Sequence, residues 1–289
     1  MAIRKVARKL RLYWSLIKSL QAGLLLSTAL AGYMSAPEPL KEWHALLSLL
    51  GSMFCAIAGS TVLNMVYDRD IDAQMVRTCW RPLPSGQVTY REALTLGIGL
   101  SVAGVGWSLA LSPLYGAVVF AGWFFDVVVY TLWLKRRTAW SIVWGGLSGG
   151  MPVLAGRALA LGAVDWIGIA LALSVLFWIP THILTFTMRY DQDYRRAKIP
   201  TFPATYGFGF TRAMVAISSV LAGLSISLAA LAVGMTAGYL HLLAVLSSAL
   251  LILSTISLLR PSDRMNFSLF KFASLYMLSV MLLFIVQKM

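Results

Sequence analysis

Residues 64–86 read NMVYDRDIDAQMVRTCWRPLPSG, and they lie where a long apolar run gives way to a polar loop. Asn64, Asp68 and Asp72 are four residues apart, so a continued helix places all three on one face. An aspartate at the centre of a spanning helix costs about 2.5–3.5 kcal/mol, so two of them beside an apolar segment need a partner. Mg²⁺ is one such partner, because it takes oxygen ligands from carboxylates and from substrate phosphates.

Arginines accompany these acids along the same segment. The planar guanidinium group matches phosphate oxygens, so acids and arginines together indicate a site for a metal ion and a diphosphate. The alternative is an ordinary loop whose charges are solvated or paired with one another. The spacing of the acids at a helix end, followed by RPLPSG, favours the metal and diphosphate site. The arginines in or beside the segment are Arg69, Arg77, Arg81 and Arg91.

The composition is that of a membrane protein. Of 289 residues, 59% are hydrophobic and 12% charged, whereas soluble proteins carry about 25% charged residues. We expect an all-α membrane protein with a single transmembrane domain over residues 1–289, in which residues 1–13 form a basic cytoplasmic N-terminal segment. The net charge of +13 lies in loops and predicts no nucleic-acid partner, only the lipid bilayer.

Nine apolar segments are long enough to be transmembrane helices, at about 20 residues for one crossing. Most Lys and Arg residues fall in loops on one side, which predicts a cytoplasmic N-terminus, an outer C-terminus and a multi-pass protein of the cell membrane. The predicted helices are 14–34, 44–66, 92–111, 114–134, 140–160, 166–188, 212–234, 239–259 and 267–287.

A second acidic segment follows the sixth predicted helix. Residues 178–207 read WIPTHILTFTMRYDQDYRRAKIPTFPATYG and contain Asp191 and Asp193, with Arg189 and Lys198 as candidates for binding phosphate. The two acidic loops occupy matching positions after helices 2 and 6. This layout predicts two four-helix halves plus one helix around a central cavity, with the site at the cytoplasmic end.

Four further polar residues lie within the predicted helices. Asp126, with Tyr130 one turn later, is a functional candidate because a carboxylate inside a membrane is costly; the alternative is a hydrogen bond to a neighbouring helix. His182 on its own favours a packing role. Arg157 lies near the outer end of the fifth helix, where we expect its side chain to extend to the membrane interface.

The motif NxxxDxxxD followed by RTxxRPLPSG resembles the first motif of the UbiA superfamily of intramembrane prenyltransferases. The full string DRDIDxxMxRTxxRPLPSG is most similar to one branch, the protoheme IX farnesyltransferases or heme O synthases. In the second loop that branch's pattern DY-xx-A-x-IP-xx-P is present from Asp193 to Pro203. Most of the superfamily has DxxxD here, whereas this chain has Asp191-x-Asp193, and Lys198 replaces the branch's usual Gly.

The resemblance implies a UbiA-type bundle and Mg²⁺-dependent transfer of farnesyl from farnesyl diphosphate to a vinyl group of heme b, giving heme O. It implies that Asp68 and Asp193 are catalytic, and that Asp68, Asp72, Asp191 and Asp193 bind metal. His182 becomes a candidate for contact with heme. The full set expected to bind substrate is Asn64, Arg77, Arg81, Arg189, Lys198, His182, Asp126 and Tyr130.

Two other functions stay open at this stage. One is a related prenyltransferase whose acceptor is an aromatic acid such as 4-hydroxybenzoate, or a glycerol-phosphate lipid. The other, more remote, is a transporter, which typically has broken helices at mid-bilayer. The clustering of the acids at one cytoplasmic rim favours an enzyme.

Overall fold

A computed structural model describes residues 2–39 and 42–288, and within these residues the chain is helical without strands. The short helices α4 and α9 lie in the two acidic loops, and a π-helical segment, Phe125–Leu134, continues α6. The helices are α1 (Ala2–Ile17), α2 (Ser19–Met34), α3 (Trp43–Tyr67), α4 (Arg69–Gln74), α5 (Tyr90–Leu111), α6 (Pro113–Phe124), α7 (Ser141–Leu161), α8 (Trp166–Arg189), α9 (Asp191–Arg196), α10 (Phe202–Ala232), α11 (Ala237–Leu259) and α12 (Asp263–Val286).

Seven helices in the described part of the chain are long and apolar enough to cross a membrane: α3, α5, α6 with its π-helical continuation, α8, α10, α11 and α12. The chain is therefore an integral, multi-pass membrane protein. The other two predicted helices, 14–34 and 140–160, correspond in part to α2, of 16 residues, and to the glycine-rich α7.

Contacts between consecutive helices close into a ring. Leaving out α1, α4 and α9, each helix from α2 to α11 contacts the next one along the chain, and α12 contacts both α11 and α2. The two acidic loops follow α3 and α8. The ring therefore places these loops on two non-adjacent helices, which is the arrangement needed for a site between them.

Two predicted helix boundaries were wrong. The first predicted helix, 14–34, is interrupted at Lys18, whose φ of 51° is left-handed and separates α1 from α2. The seventh begins at Phe202 instead of residue 212 because the chain turns at Gly207, with φ of 82°, inside one long helical element. The other predicted spans agree with the structure to within a few residues.

Glycines allow α2 and α7 to approach closely. A Cβ added to Gly32 would lie 1.9 Å from the backbone oxygen of Val153, and one added to Gly156 would lie 1.9 Å from the oxygen of Ala29. Both neighbours are backbone atoms, which cannot move aside as a side chain does. Small residues at this contact are therefore a condition for the close packing of α2 against α7.

We expect Gly32→Ala to lower the free energy of unfolding by about 1–3 kcal/mol, because the added methyl group overpacks the contact between α2 and α7. Gly23→Ala in the same helix is the matched control, since a Cβ at that position would have no neighbouring atom within 4 Å. It should be neutral or stabilise the helix by about 0.5–1 kcal/mol. Thermal unfolding in detergent measures both, and equal effects of the two substitutions would contradict this packing.

The prediction for Arg157 was also wrong. Its side chain is 3% exposed and does not extend to the interface. It donates to both carboxylate oxygens of Asp165, at 2.7 Å each, and to the backbone oxygen of Ser35 at 2.6 Å. The bidentate pair satisfies the buried charge and fastens α7 to the end of α2 and the start of α8.

Candidate active site

The first acidic motif keeps helical spacing across a break. Helix α3 ends at Tyr67 and α4 begins at Arg69, with Asp68 at the junction. The backbone N–H of Asp68 donates to the oxygen of Asn64 at 2.9 Å, and that of Asp72 donates to the oxygen of Asp68 at 2.8 Å. The i to i−4 bonds therefore continue, and the three motif residues stay on one face as their spacing predicts.

Both carboxylates of this motif are buried and paired with cations. Asp72 accepts from the guanidinium of Arg81 at 2.8 Å, and Asp68 accepts from the ammonium of Lys135. The second oxygen of Asp68 is buried with no hydrogen-bond partner. A buried carboxylate oxygen without a donor is costly, so this atom is available to a cation.

The loop after the π-helical segment holds the first motif from the other side. Arg136 donates to both oxygens of Asp70, at 2.6 and 2.7 Å, and to the backbone oxygen of Tyr67 at 2.8 Å. The bond from Arg136 holds the pKa of Asp70 below its ordinary value. Asp70 thus binds the neighbouring loop, whereas Asp68 and Asp72 carry the buried charges.

Asn64 and Asp126 form one hydrogen-bonded group inside the bundle. The Asn64 amide donates to Asp126 at 2.9 Å and accepts from the Thr131 hydroxyl at 2.8 Å. Both groups of the Asn64 side chain are therefore used within the protein. Asp126 and Thr131 lie in the π-helical segment, a geometry frequent at functional sites.

Tyr130, the other candidate in this segment, lies beside Lys135. The backbone N–H of Lys135 donates to the oxygen of Tyr130 at 2.8 Å, a bond from residue i to i−5. The Lys135 ammonium is 5.6 Å from the centre of the Tyr130 ring, within the range of a cation–π contact. The π-helical turn thus places Tyr130 next to the cation that pairs with Asp68.

The second acidic motif lies where helix α8 has ended. Tyr190 breaks the helix after Arg189, and both acids lie in the first turn of α9, where their spacing of two residues directs them to different sides. Asp191 accepts from Arg195 at 2.6 Å through one oxygen, and its other oxygen is buried without a partner. Asp193 is buried and accepts from the backbone N–H of Val76, in the first loop, at 3.3 Å.

Arg77 joins the two acidic loops. Its guanidinium donates to the Tyr194 hydroxyl at 3.2 Å and lies 5.0–5.6 Å from the ring centres of Phe186, Tyr190 and Tyr194. Beneath it, apolar residues from the two loops pack together: Ile71, Met75, Tyr194, Ala197 and Ile199. The two motifs therefore form one assembly, as their matching positions in the chain predict.

Two other predicted residues lie at the edge of this assembly. Arg189 stacks 4.0 Å from the centre of the Phe267 ring and lines a cavity beside α9. Lys198 is exposed, and its φ of 54° is the left-handed conformation that glycine adopts most easily. The turn therefore keeps the geometry expected for the family's glycine although lysine stands there.

His182 lies in the contact between α8 and α12. Its ring is stacked between Trp178 and Phe270, with ring centres 5.0 and 4.7 Å away, and its Nδ1 is 3.2 Å from the Ser274 hydroxyl. Two aromatic rings stack against the imidazole, which has polar partners in the Ser274 hydroxyl and the Phe270 backbone. This favours the packing role, and contact with heme remains a prediction that concerns the other ring nitrogen.

Two lysines of the site were missed by the sequence reasoning, which used them only to set orientation. Lys135 pairs with Asp68, and Lys18 lies in electrostatic range of Arg81, Lys135, Asp68 and Asp72. Burial, with repulsion from Arg81 and then Lys135, lowers the pKa of Lys18 to about 8. The basic run 135–137 after a span was a usable signal, whereas nothing in the sequence marks Lys18.

Comparison with known proteins identifies the family. The model of the UbiA prenyltransferase family matches residues 25–279, so the chain belongs to this family of enzymes. A protoheme IX farnesyltransferase of Pyrobaculum islandicum is 35% identical over 91% of this chain and 94% of its own length. A protein of the same name from Korarchaeum cryptofilum is 41% identical over 71% of this chain and 69% of its own length. Another, from Desulforudis audaxviator, is 36% identical over 92% of this chain and 84% of its own length.

Solved structures share the fold. A digeranylgeranylglyceryl phosphate synthase structure superposes with a TM-score of 0.80 at 21% identity, covering 97% of this chain and 99% of that one. A UbiA homologue from Archaeoglobus fulgidus, bound to GPP and Mg²⁺, superposes with a TM-score of 0.71 at 17% identity, covering 95% and 99%. At these identities the structures support the fold, and the family assignment sets the transporter alternative aside.

Proposed function

We propose that this enzyme transfers the farnesyl group of farnesyl diphosphate to a vinyl group of heme b, forming heme O. The observation that carries the proposal is the joining of the two acidic loops through Asp193 and Arg77, in a chain whose relatives over nine-tenths of its length are protoheme IX farnesyltransferases. Transfer breaks the allylic C–O bond and forms a C–C bond to the vinyl carbon. Water then adds its hydroxyl to the neighbouring carbon and gives up a proton.

The residues present fit a divalent metal ion. Asp68 in the first motif and Asp191 in the second each have a buried oxygen without a donor, and carboxylate oxygens are the ligands that Mg²⁺ prefers. Among the described residues, no cluster of three or more acidic, histidine or cysteine side chains is preassembled. Mg²⁺ would be held by Asp68, Asp72, Asp191 and Asp193, and when bound it would neutralise charge developing on the diphosphate.

The chain's own cations complete the diphosphate site. Lys135 and Arg81 neutralise Asp68 and Asp72 in this structure, and Lys18 lies close to both pairs. A diphosphate entering here would compete for these cations and leave the carboxylates to the metal. Arg77 would act mainly by holding the two loops together, because aromatic rings surround its guanidinium.

The proposal includes the number of membrane crossings and the side of the membrane on which the site lies. We assign nine crossings by adding α2 and α7 to the seven apolar helices, as one transmembrane domain of two four-helix halves with α12 appended. The basic loops next to both acidic motifs support a site on the cytoplasmic side. The apolar interior of the ring would hold the farnesyl tail and shield the allylic cation from water.

The acceptor can be tested directly. The purified protein is incubated with Mg²⁺, farnesyl diphosphate and equal amounts of heme b and 4-hydroxybenzoate, and the products are separated by mass. The proposal predicts hydroxyethylfarnesyl heme as the main product. A prenylated benzoate would keep the enzyme class and overturn the acceptor, and a prenylated glycerol-phosphate lipid in a parallel incubation would do the same.

Diphosphate affinity should depend on pH through Lys18. With a pKa of about 8, Lys18 is charged at pH 7 and neutral at pH 9.5, so the affinity for farnesyl thiodiphosphate, a slowly reacting analogue, should fall about tenfold over that range. Lys18→Arg should remove most of this fall, because arginine stays charged. Fluorescence titration measures both proteins, and an identical fall in both would contradict the role of Lys18.

A further inference from the structure

The polar cavity that Arg189 lines lies beside the second acidic motif. It has a volume of about 520 Å³ and is bounded by the end of α8, by α9, by Phe208 of α10 and by the first turn of α12. Three carboxylates and one guanidinium line it, those of Asp191, Asp193, Asp263 and Arg189. The excess of negative charge favours a cationic ligand.

Asn266 on α12 has a buried polar atom without a partner at this cavity. The residue is 5% exposed, and its amide N–H donates to the backbone oxygen of Thr185 at 2.8 Å. Its amide oxygen is buried and has no hydrogen-bond partner. This bond to a carbonyl fixes the orientation of the amide, since the reverse orientation would set two oxygens against each other.

Asp191, another residue that lines the cavity, has a second oxygen of this kind. Asp191 uses one carboxylate oxygen to bind Arg195, and its other oxygen is buried without a donor. Two unpaired acceptors on one cavity need either hydrogen donors or a metal ion, because a buried acceptor without either keeps its full cost of desolvation. Amide and carboxylate oxygens together are ligands typical of hard divalent cations, which bind directly or through their waters.

We propose that Asn266 completes the cation site of the second acidic motif, so that the last helix contributes an oxygen ligand beside Asp191 and Asp193. This inference rests on the proposed function, since the ion is the one that would hold the diphosphate. Asp263, in the first turn of α12, adds negative charge to the same cavity. Ion binding would then fix α12 against the second acidic loop.

The test measures metal binding apart from catalysis. Mn²⁺ is titrated into the purified protein with farnesyl thiodiphosphate present, and free Mn²⁺ is followed by electron paramagnetic resonance. Asn266→Ser should weaken Mn²⁺ binding at least tenfold. Asn266→Asp keeps an oxygen and adds charge, so it should bind Mn²⁺ at least as tightly as the wild type. Ser268→Ala, an exposed neighbour on α12, is the matched control and should have no effect.

The paired variants separate a ligand from a packing residue. Both Asn266 substitutions remove the bond to Thr185, so a purely structural role would weaken Mn²⁺ binding in both and would overturn the inference. If Asn266→Ser fails to fold, Asn266→Asp alone still tests the inference. Weaker Mn²⁺ binding by Asn266→Asp than by the wild type would overturn the assignment of Asn266 as a ligand. Asn266→Ser and Asp191→Asn should be non-additive when combined, since they act on one ion.

Failure of the broader proposal gives a different result. If the wild-type protein binds no Mn²⁺ in the presence of farnesyl thiodiphosphate, both the metal-dependent function and this inference are wrong. If the wild type binds Mn²⁺ and Asn266→Ser binds it equally well, only the assignment of Asn266 falls.

Discussion

Asp68→Asn is expected to lower the rate of farnesyl transfer about 10³-fold while leaving the protein folded. Asp68 is buried, pairs with Lys135 and has one oxygen free for a metal ion. The amide keeps the size of the side chain and removes the charge that a cation needs. Product formation at limiting Mg²⁺ measures the effect, and thermal unfolding in detergent confirms the fold.

Asp70→Asn is the matched control for that experiment. Asp70 lies two residues away in the same loop, is more than half exposed and binds Arg136 instead of facing the site cations. It should retain most of the activity, because an exposed ion pair contributes about 0–1 kcal/mol. Equal loss in Asp68→Asn and Asp70→Asn, or wild-type turnover in Asp68→Asn, would contradict the assignment of Asp68 as a metal ligand.

Arg157→Met is expected to lower the free energy of unfolding by about 3–5 kcal/mol without touching the acidic loops. The substitution leaves Asp165 without its cation, with only the bond from the Gly168 N–H, and removes the guanidinium donor of the Ser35 carbonyl, so α7 loses these bonds to the ends of α2 and α8. The midpoint of thermal unfolding in detergent measures the loss. The double variant Arg157→Met with Asp165→Asn should recover part of it, because no charge is then left unpaired.

The same pair predicts how stability depends on acid. The bonds from Arg157 hold the pKa of Asp165 below its ordinary value. The pair's contribution is therefore complete above the usual aspartate pKa of about 3.9 and is lost as pH falls through the lowered pKa. In Asp165→Asn this acid-dependent loss should be smaller than in the wild type. A stability difference between the two proteins that persisted unchanged to the lowest pH would contradict the ion pair.

Much of the architecture could be predicted from the sequence because long apolar runs report helices directly. Spacing also predicted the face shared by Asn64, Asp68 and Asp72, and the two loops meet as their positions implied. The bend at Lys18 could not be predicted, since a lysine carries no signal for a left-handed conformation. Its place near the acids follows from that bend.

Contacts between side chains of different helices could not be predicted from the sequence either. Arg157 was expected at the interface from its position near a helix end. Its actual partners could not be predicted, because Asp165 lies at the start of the next helix and Ser35 is 122 residues away. The sequence analysis gave Asn266 no role, and only its buried, unpaired oxygen and its position in the lining of the cavity distinguish it. Such residues are defined by tertiary contacts instead of local pattern.

The central claim is that the two acidic loops hold one diphosphate together with a divalent metal ion. The most direct measurement is the binding of farnesyl thiodiphosphate to the wild type, Asp68→Asn and Asp193→Asn, each with and without Mg²⁺. The account predicts saturable binding in the wild type that requires Mg²⁺ and is lost in both variants. Binding that is independent of Mg²⁺, or that survives loss of the acid in either loop, would contradict it.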